Sequence, residues 1–125
     1  MVYLLDANVI FRFLIGDDEK FLAQSTTYFQ EIERGSLQVE ILESVLMEAF
    51  FVLTKFYRIP KAEVIADLKV ILALDGVINH DKVVFLEALT IVEAKSIDFV
   101  DALICAKSSL QGYETPSFDH DVKRC

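Results

Sequence analysis

The chain has 125 residues, with 20 acidic and 12 basic side chains, a net charge of −8 and a pI of about 4.6. Hydrophobic residues make up 54% and mean hydropathy is +0.40, which excludes wholesale disorder because ample apolar surface offsets the entropy of folding. The acidic balance disfavours a broad basic face for nucleic acid but leaves room for a small site, and apolar stretches of five residues such as Ala49–Leu53 fall far short of the roughly twenty that a membrane span needs.

Val2 to Leu5 is an apolar run without alternation, as in a strand buried on both faces, and Asp6 ends it. Ala7 to Ile15 reads as a helix that stops at Gly16. Asp17 and Asp18 suit the start of a second helix, which runs to Arg34 and stops at Gly35. Leu37 to Leu42 reads as a second strand, and Ser44 as the N-cap of a helix reaching Tyr57 with Phe56 in its apolar set. Pro60 opens a further helix that ends near Asp75–Gly76. Val77–Ile78 suggests a very short strand, and Asp81 caps a helix through Ala94. Ile97–Asp98 starts the last helix, which stops at Gly112, and Tyr113 to Phe118 is the last strand candidate. Length points to a single domain over residues 1–125, and strands alternating with helices point to an α/β fold with a mainly parallel sheet. Cys105, inside an apolar run, reads as a buried small hydrophobe and Cys125 as an exposed thiol. The absence of a basic region before Val2 argues against a signal peptide and makes the cytoplasm the default location.

In open α/β sheets functional groups gather at the carboxyl ends of strands. The residues there are acidic: Asp6 after the first strand, Glu43 and Glu48 after the second, Asp119 and Asp121 after the last. Asp98 and Asp101 open the last helix. Carboxylates gathered without His or Cys form a hard-cation site, suited to Mg²⁺ or Mn²⁺. Four of them in one pocket cannot all stay ionised without cations between them. Such sites hydrolyse phosphodiesters. Glycine-rich phosphate loops and the GxSxG elbow are absent.

Four segments taken together resemble one family. They are Asp6–Ala7–Asn8, the helix from Glu43 to Leu53 with Glu48 in it, Asp98 to Ala106 with Asp101, and Ser117–Phe118–Asp119. In order and spacing they are similar to PIN domains, most of all to the VapC-type toxins of toxin–antitoxin pairs. The resemblance implies a three-layer α/β/α fold with a four- or five-stranded, mainly parallel sheet, and metal-dependent endoribonuclease activity. It assigns Asp6, Glu48, Asp101 and Asp119 as catalytic metal ligands for Mg²⁺, with Mn²⁺ as a substitute. Asn8 matches a position that supports the first carboxylate, and Ser117, Asp98 and Asp121 are outer neighbours of the pocket. It also implies an RNA substrate, a cognate antitoxin and a homodimer, with no membrane partner. The alternatives are an RNA-processing nuclease of the same fold without an antitoxin, or a binding module that does not cleave.

Each acid has a plainer role. Asp6 closes a strand–helix turn, and Glu48 suits a solvated helix stripe. With Asp98 as N-cap, Asp101 stands where an acid complements the helix dipole. Asp119 could cap a final turn. His80 and His120 are ordinarily surface histidines, although His120 is close enough to the proposed pocket to touch a phosphate. Lys55, Arg58 and Lys61 form one loose basic group, Lys123 and Arg124 another. Such charges are ordinarily solvated, and they are the first places for phosphate contacts if RNA binds. Phe50 and Phe51 are adjacent on a helix, so one must leave the core face; an exposed apolar patch there would mark a partner site, either a dimer contact or an antitoxin groove.

Overall fold

The computed structural model describes residues 1–114 and 125, and these form two compact units, Met1–Asn79 and His80–Cys125. The first unit opens with β1 (Val2–Leu4), α1 (Ala7–Ile15), α2 (Glu19–Arg34) and β2 (Gln38–Glu40). It continues with α3 (Glu43–Phe51), a π-helical turn (Val52–Phe56) and α4 (Lys61–Leu72). The second contains α5 (Lys82–Ala94) and α6 (Phe99–Gln111), which pack on one another.

Chemical punctuation sets these boundaries. Asp6 and Asp18 are the N-caps of α1 and α2, and each carboxylate accepts a backbone N–H of the first turn. Gly16 and Gly35 end the same helices in the left-handed conformation. Pro60 stands at the N-cap of α4. α3 starts two residues earlier than its apparent cap suggested: Leu42 is the N-cap, without a side-chain bond, and Ser44 lies inside the helix.

β1 and β2 run parallel in the register Val2–Gln38, Tyr3–Val39 and Leu4–Glu40. Val39 also bridges to Val77, which is what the short Val77–Ile78 strand amounts to. The chain is therefore α/β, with two parallel strands among the described residues rather than the four or five that the resemblance implies. Most of the last strand candidate, Tyr113 to Phe118, lies outside the described residues. Val2, Tyr3 and Leu4 are exposed, in contrast to the expected burial on both faces, because among the described residues β1 pairs with β2 alone.

The first unit buries Ile10 of α1, Ile32 of α2, Val39 and Ile41, Leu46 and Ala49 of α3, and the Val64–Ile65–Leu68–Leu72 stripe of α4. The backbone of Ile41, just beyond β2, is satisfied by a side chain. Its N–H donates to Asn79 Oδ1 at 2.8 Å, and the Asn79 amide donates to its carbonyl at 2.7 Å. One amide thus does the work of a further strand residue. Replacing Asn79 by Ala strands two backbone groups of a fully buried residue, each at about 1–3 kcal/mol. The expected result is a fall of roughly 10 °C in Tm by circular dichroism. A fall of under about 2 °C would show that water replaces the amide at no cost.

In the second unit, α5 buries Val84, Phe85, Ala88, Leu89 and Val92, and α6 buries Phe99, Ala102, Leu103, Cys105 and Ala106. Cys105 is buried as its apolar run suggested, but it is not a plain hydrophobe. It forms a disulfide with Cys125, 20 residues on, so Cys125 is not a free thiol. Among the described residues no helix is long and apolar enough to cross a membrane.

Candidate functional site

Asp6 stands at the carboxyl end of β1, where the chain leaves the sheet and turns into α1. Its backbone is extended (φ −80°, ψ 142°), which lets its own side chain fold back over the first turn. Oδ1 accepts the backbone N–H of Asn8 at 3.1 Å. The donor is the main chain of Asn8, which any residue but proline would provide. The bond engages one oxygen of the carboxylate and orients the other. The Asp6 residue is exposed, so a carboxylate held in place is presented to the surface.

A cleft of about 400 Å³ opens beside it, lined by Asp6, by Tyr3, Leu4 and Leu5 of the preceding strand, and by Tyr28 and Glu31 of α2. Tyr28 and Glu31 were not singled out in the sequence. Residues three apart on a helix share a face, but that this face borders Asp6 follows only from the packing of α2 on α1.

Glu48 lies on α3 between the buried Leu46 and Ala49 and is itself exposed. α3 packs on α1. Asp98 and Asp101 belong to the second unit. Asp98 occupies the N-cap position of α6, and its side chain makes no capping bond. Asp101 sits in the first turn, half-buried. His80 is exposed. Ser117, Asp119, His120 and Asp121 lie outside the described residues, as do Lys123 and Arg124.

Asp6, Glu48 and Asp101 offer only carboxylate oxygens, hard donors that suit Mg²⁺ or Mn²⁺ and not the softer metals. Among the described residues no group of three or more His, Cys, Asp or Glu stands close enough to hold a metal ion.

The sequence departs from regular structure once near these residues. The helix after Glu48 does not continue as α to Tyr57. It widens into a π turn at Val52–Phe56, with Tyr57 N–H donating to the Val52 carbonyl at 3.1 Å. The wider turn rotates Phe56 off the stripe shared by Leu46, Ala49 and Leu53, and Phe56 is exposed rather than apolar-packed. Of the adjacent pair, Phe50 is half-buried and Phe51 exposed.

A family model described as PIN domain matches residues 3–125. PIN domains are typically nucleases, and they generally use divalent metal ions. No curated protein and no solved structure matches the chain.

Proposed function

The chain belongs to the PIN domain family, and from that premise we propose that it is a Mg²⁺-dependent endoribonuclease, the toxin of a VapBC-type pair. The observation that carries this reading is Asp6: an exposed carboxylate, oriented by a backbone N–H, at the carboxyl end of a parallel strand. That is where open α/β sheets place their chemistry.

In this reading Asp6, Glu48, Asp101 and Asp119 hold the metal, and Asn8 fixes Asp6 through its main chain. A bound divalent cation supplies positive charge to the scissile phosphate and makes the attacking water more acidic. The chain's own part is to place the carboxylates. Asp6 is the N-cap of α1 and Asp101 stands in the first turn of α6, both at helix starts where the dipole favours negative charge. The same family reading assigns Asp98, Asp121 and Ser117 to the surroundings of the metal ligands. A homodimer and a cognate antitoxin belong to the same proposal.

The test is RNA cleavage by the purified protein with Mg²⁺ or Mn²⁺, with and without chelator. Cleavage that stops on chelation and falls at least a hundredfold in Asp101→Asn supports the reading. Removal of a mere outer partner of a metal ligand costs only about 10–100-fold. Cleavage that persists in chelator overturns it. The toxin role is tested separately by expressing the chain alone and with a neighbouring small open reading frame, whose product should silence the nuclease.

A further inference from the structure

The surface around the end of α3 differs from the rest of the chain in charge, exposure and backbone. Residues 49–62 contain no acidic side chain, the longest such run in a chain with 20 acids, and they hold Lys55, Arg58 and Lys61. All three cations are exposed. Among them stand Phe56, 75% exposed, and Tyr57, with Phe51, 63% exposed, five residues before Phe56. Burying such a ring is worth about 1.5–3 kcal/mol, so an aromatic group left in water at this density is a surface made to be covered.

The rings are arranged in series. Phe56 and Tyr57 meet edge to face with centroids 5.0 Å apart, and Tyr57 lies 6.4 Å from the Phe11 ring of α1. Two backbone irregularities hold them there. The π turn swings Phe56 outward, and Arg58 takes a left-handed backbone (φ 56°) that costs a non-glycine residue about 1–2 kcal/mol.

We propose that this patch is a platform for a single-stranded stretch of the RNA substrate, its bases stacked on Phe56 and Tyr57 and its phosphates met by Lys55 and Arg58. The inference rests on the nuclease reading above. Charge complementarity selects the occupant: a local run of cations without acids, on a chain of net charge −8, matches a polyanion. Interleaved aromatic and basic side chains are what single strands use, since every base has a face to stack and every phosphate a charge to neutralise. A duplex hides its base faces in its own stack. A second copy of the chain is a poor occupant, because a two-fold contact through this patch would gather Lys55, Arg58 and Lys61 of both copies in one interface with no acid from residues 49–62 between them. The position also suits a substrate. Phe11, whose ring Tyr57 approaches, is five residues along α1 from Asp6, about 7.5 Å of helical rise, so the platform borders the helix that Asp6 caps.

The experiment is fluorescence anisotropy of a labelled 12-residue oligouridylate, measured in chelator so that nothing is cut. The full chain is compared with Phe56→Ala/Tyr57→Ala and with Lys55→Gln/Arg58→Gln. Expected are a loss of at least tenfold in affinity for the aromatic variant and, for the charge variant, a slope of log affinity against log salt shallower by about 1.4, two phosphates at about 0.7 each. The charge variant alters exposed side chains and should melt at the parental temperature; the aromatic variant gives up the Tyr57 ring contacts, so its binding is read well below its own melting temperature. Unchanged affinity in the aromatic variant overturns the proposal, as does a parent that binds no single strand or binds a duplex of the same length equally well. Conversion of a dimer to monomers in the aromatic variant, with oligonucleotide affinity unchanged, also overturns it and gives the patch to a second copy. Cleavage in Mg²⁺ separates the two readings. Cleavage that needs Asp6 but not Phe56 or Tyr57 leaves the nuclease standing and removes the platform. Binding that needs the patch, without cleavage in any divalent cation, does the reverse.

Discussion

Asp6→Asn is expected to lower metal-dependent RNA cleavage at least a hundredfold while leaving the protein folded. The substitution is informative because Asp6 has two roles that asparagine divides. As N-cap of α1 it accepts the Asn8 N–H at 3.1 Å, and an asparagine oxygen does this as well as a carboxylate. What asparagine cannot supply is the negative charge. The structural cost is then the lost charge–dipole attraction, about 0.3–1 kcal/mol at an exposed helix start. The catalytic cost is that of removing a direct ligand, larger than the roughly 10–100-fold for an outer partner. Asp6→Ala separates the roles from the other side: it should lose the same activity and, in addition, about 1 kcal/mol from the missing cap. Initial rates on a labelled RNA and thermal melts of the three proteins check both. Asp6→Asn activity within tenfold of the parent would reduce Asp6 to a helix cap.

The reading of Asp6 came from its place and not from its surroundings. An acid directly after an apolar run, followed by a helix, marks the carboxyl end of a strand whatever lies beyond. The same local chemistry made α1, α2, α4 and α6 legible, through Asp6, Gly16, Asp18, Gly35, Pro60, Asp98 and Gly112. Where punctuation was misleading, so was the expectation. Ser44 has the chemistry of a cap, but the extended backbone of Leu42 already begins the turn at Glu43. The π turn at Val52–Phe56 has no compositional mark at all, since its register is a choice of hydrogen bond rather than of residue.

Long-range features were the least legible. Nothing in the sequence ties Asn79 to Ile41, 38 positions apart, or Cys105 to Cys125, because both pairings depend on how elements pack. The candidate site divides in the same way. Asp6 and Asp101 were legible as acids at a strand end and a helix start, and Glu48 as an acid within the helix after the second strand. The cleft wall of Tyr28 and Glu31 required α2 to be placed against α1.

Gly76→Ala is expected to destabilise the protein more than any other single methyl addition at a glycine. A Cβ at Gly76 would overlap the carbonyl oxygen of Leu37, and would stand 2.6 Å from the carbonyl oxygen and 3.0 Å from the Cα of Ile32. All three are backbone atoms, so no side chain can swing aside. The close approach exists because Gly76 joins two elements: its N–H donates to Ile32 at the end of α2 at 2.8 Å, and its carbonyl accepts from Val39 of β2 at 2.7 Å. Making room for the methyl group pulls the turn away from both. The cost combines overpacking, about 1–3 kcal/mol, with at least one buried backbone hydrogen bond, about 1–3 kcal/mol. Together these are a large share of a total of about 5–15 kcal/mol. Gly35→Ala provides the scale. Gly35 has room, with Asp75 Cβ its nearest neighbour at 3.9 Å, but a φ of 78°, so alanine there costs only backbone strain of about 1–2 kcal/mol. Urea unfolding of both variants should therefore rank Gly76→Ala at two to three times the loss of Gly35→Ala, on the order of 4 kcal/mol against 1–2. The reverse order would mean that the turn at Leu74–Val77 yields easily. Val39 would then not depend on it, and neither would the β1–β2 pairing that carries Asp6.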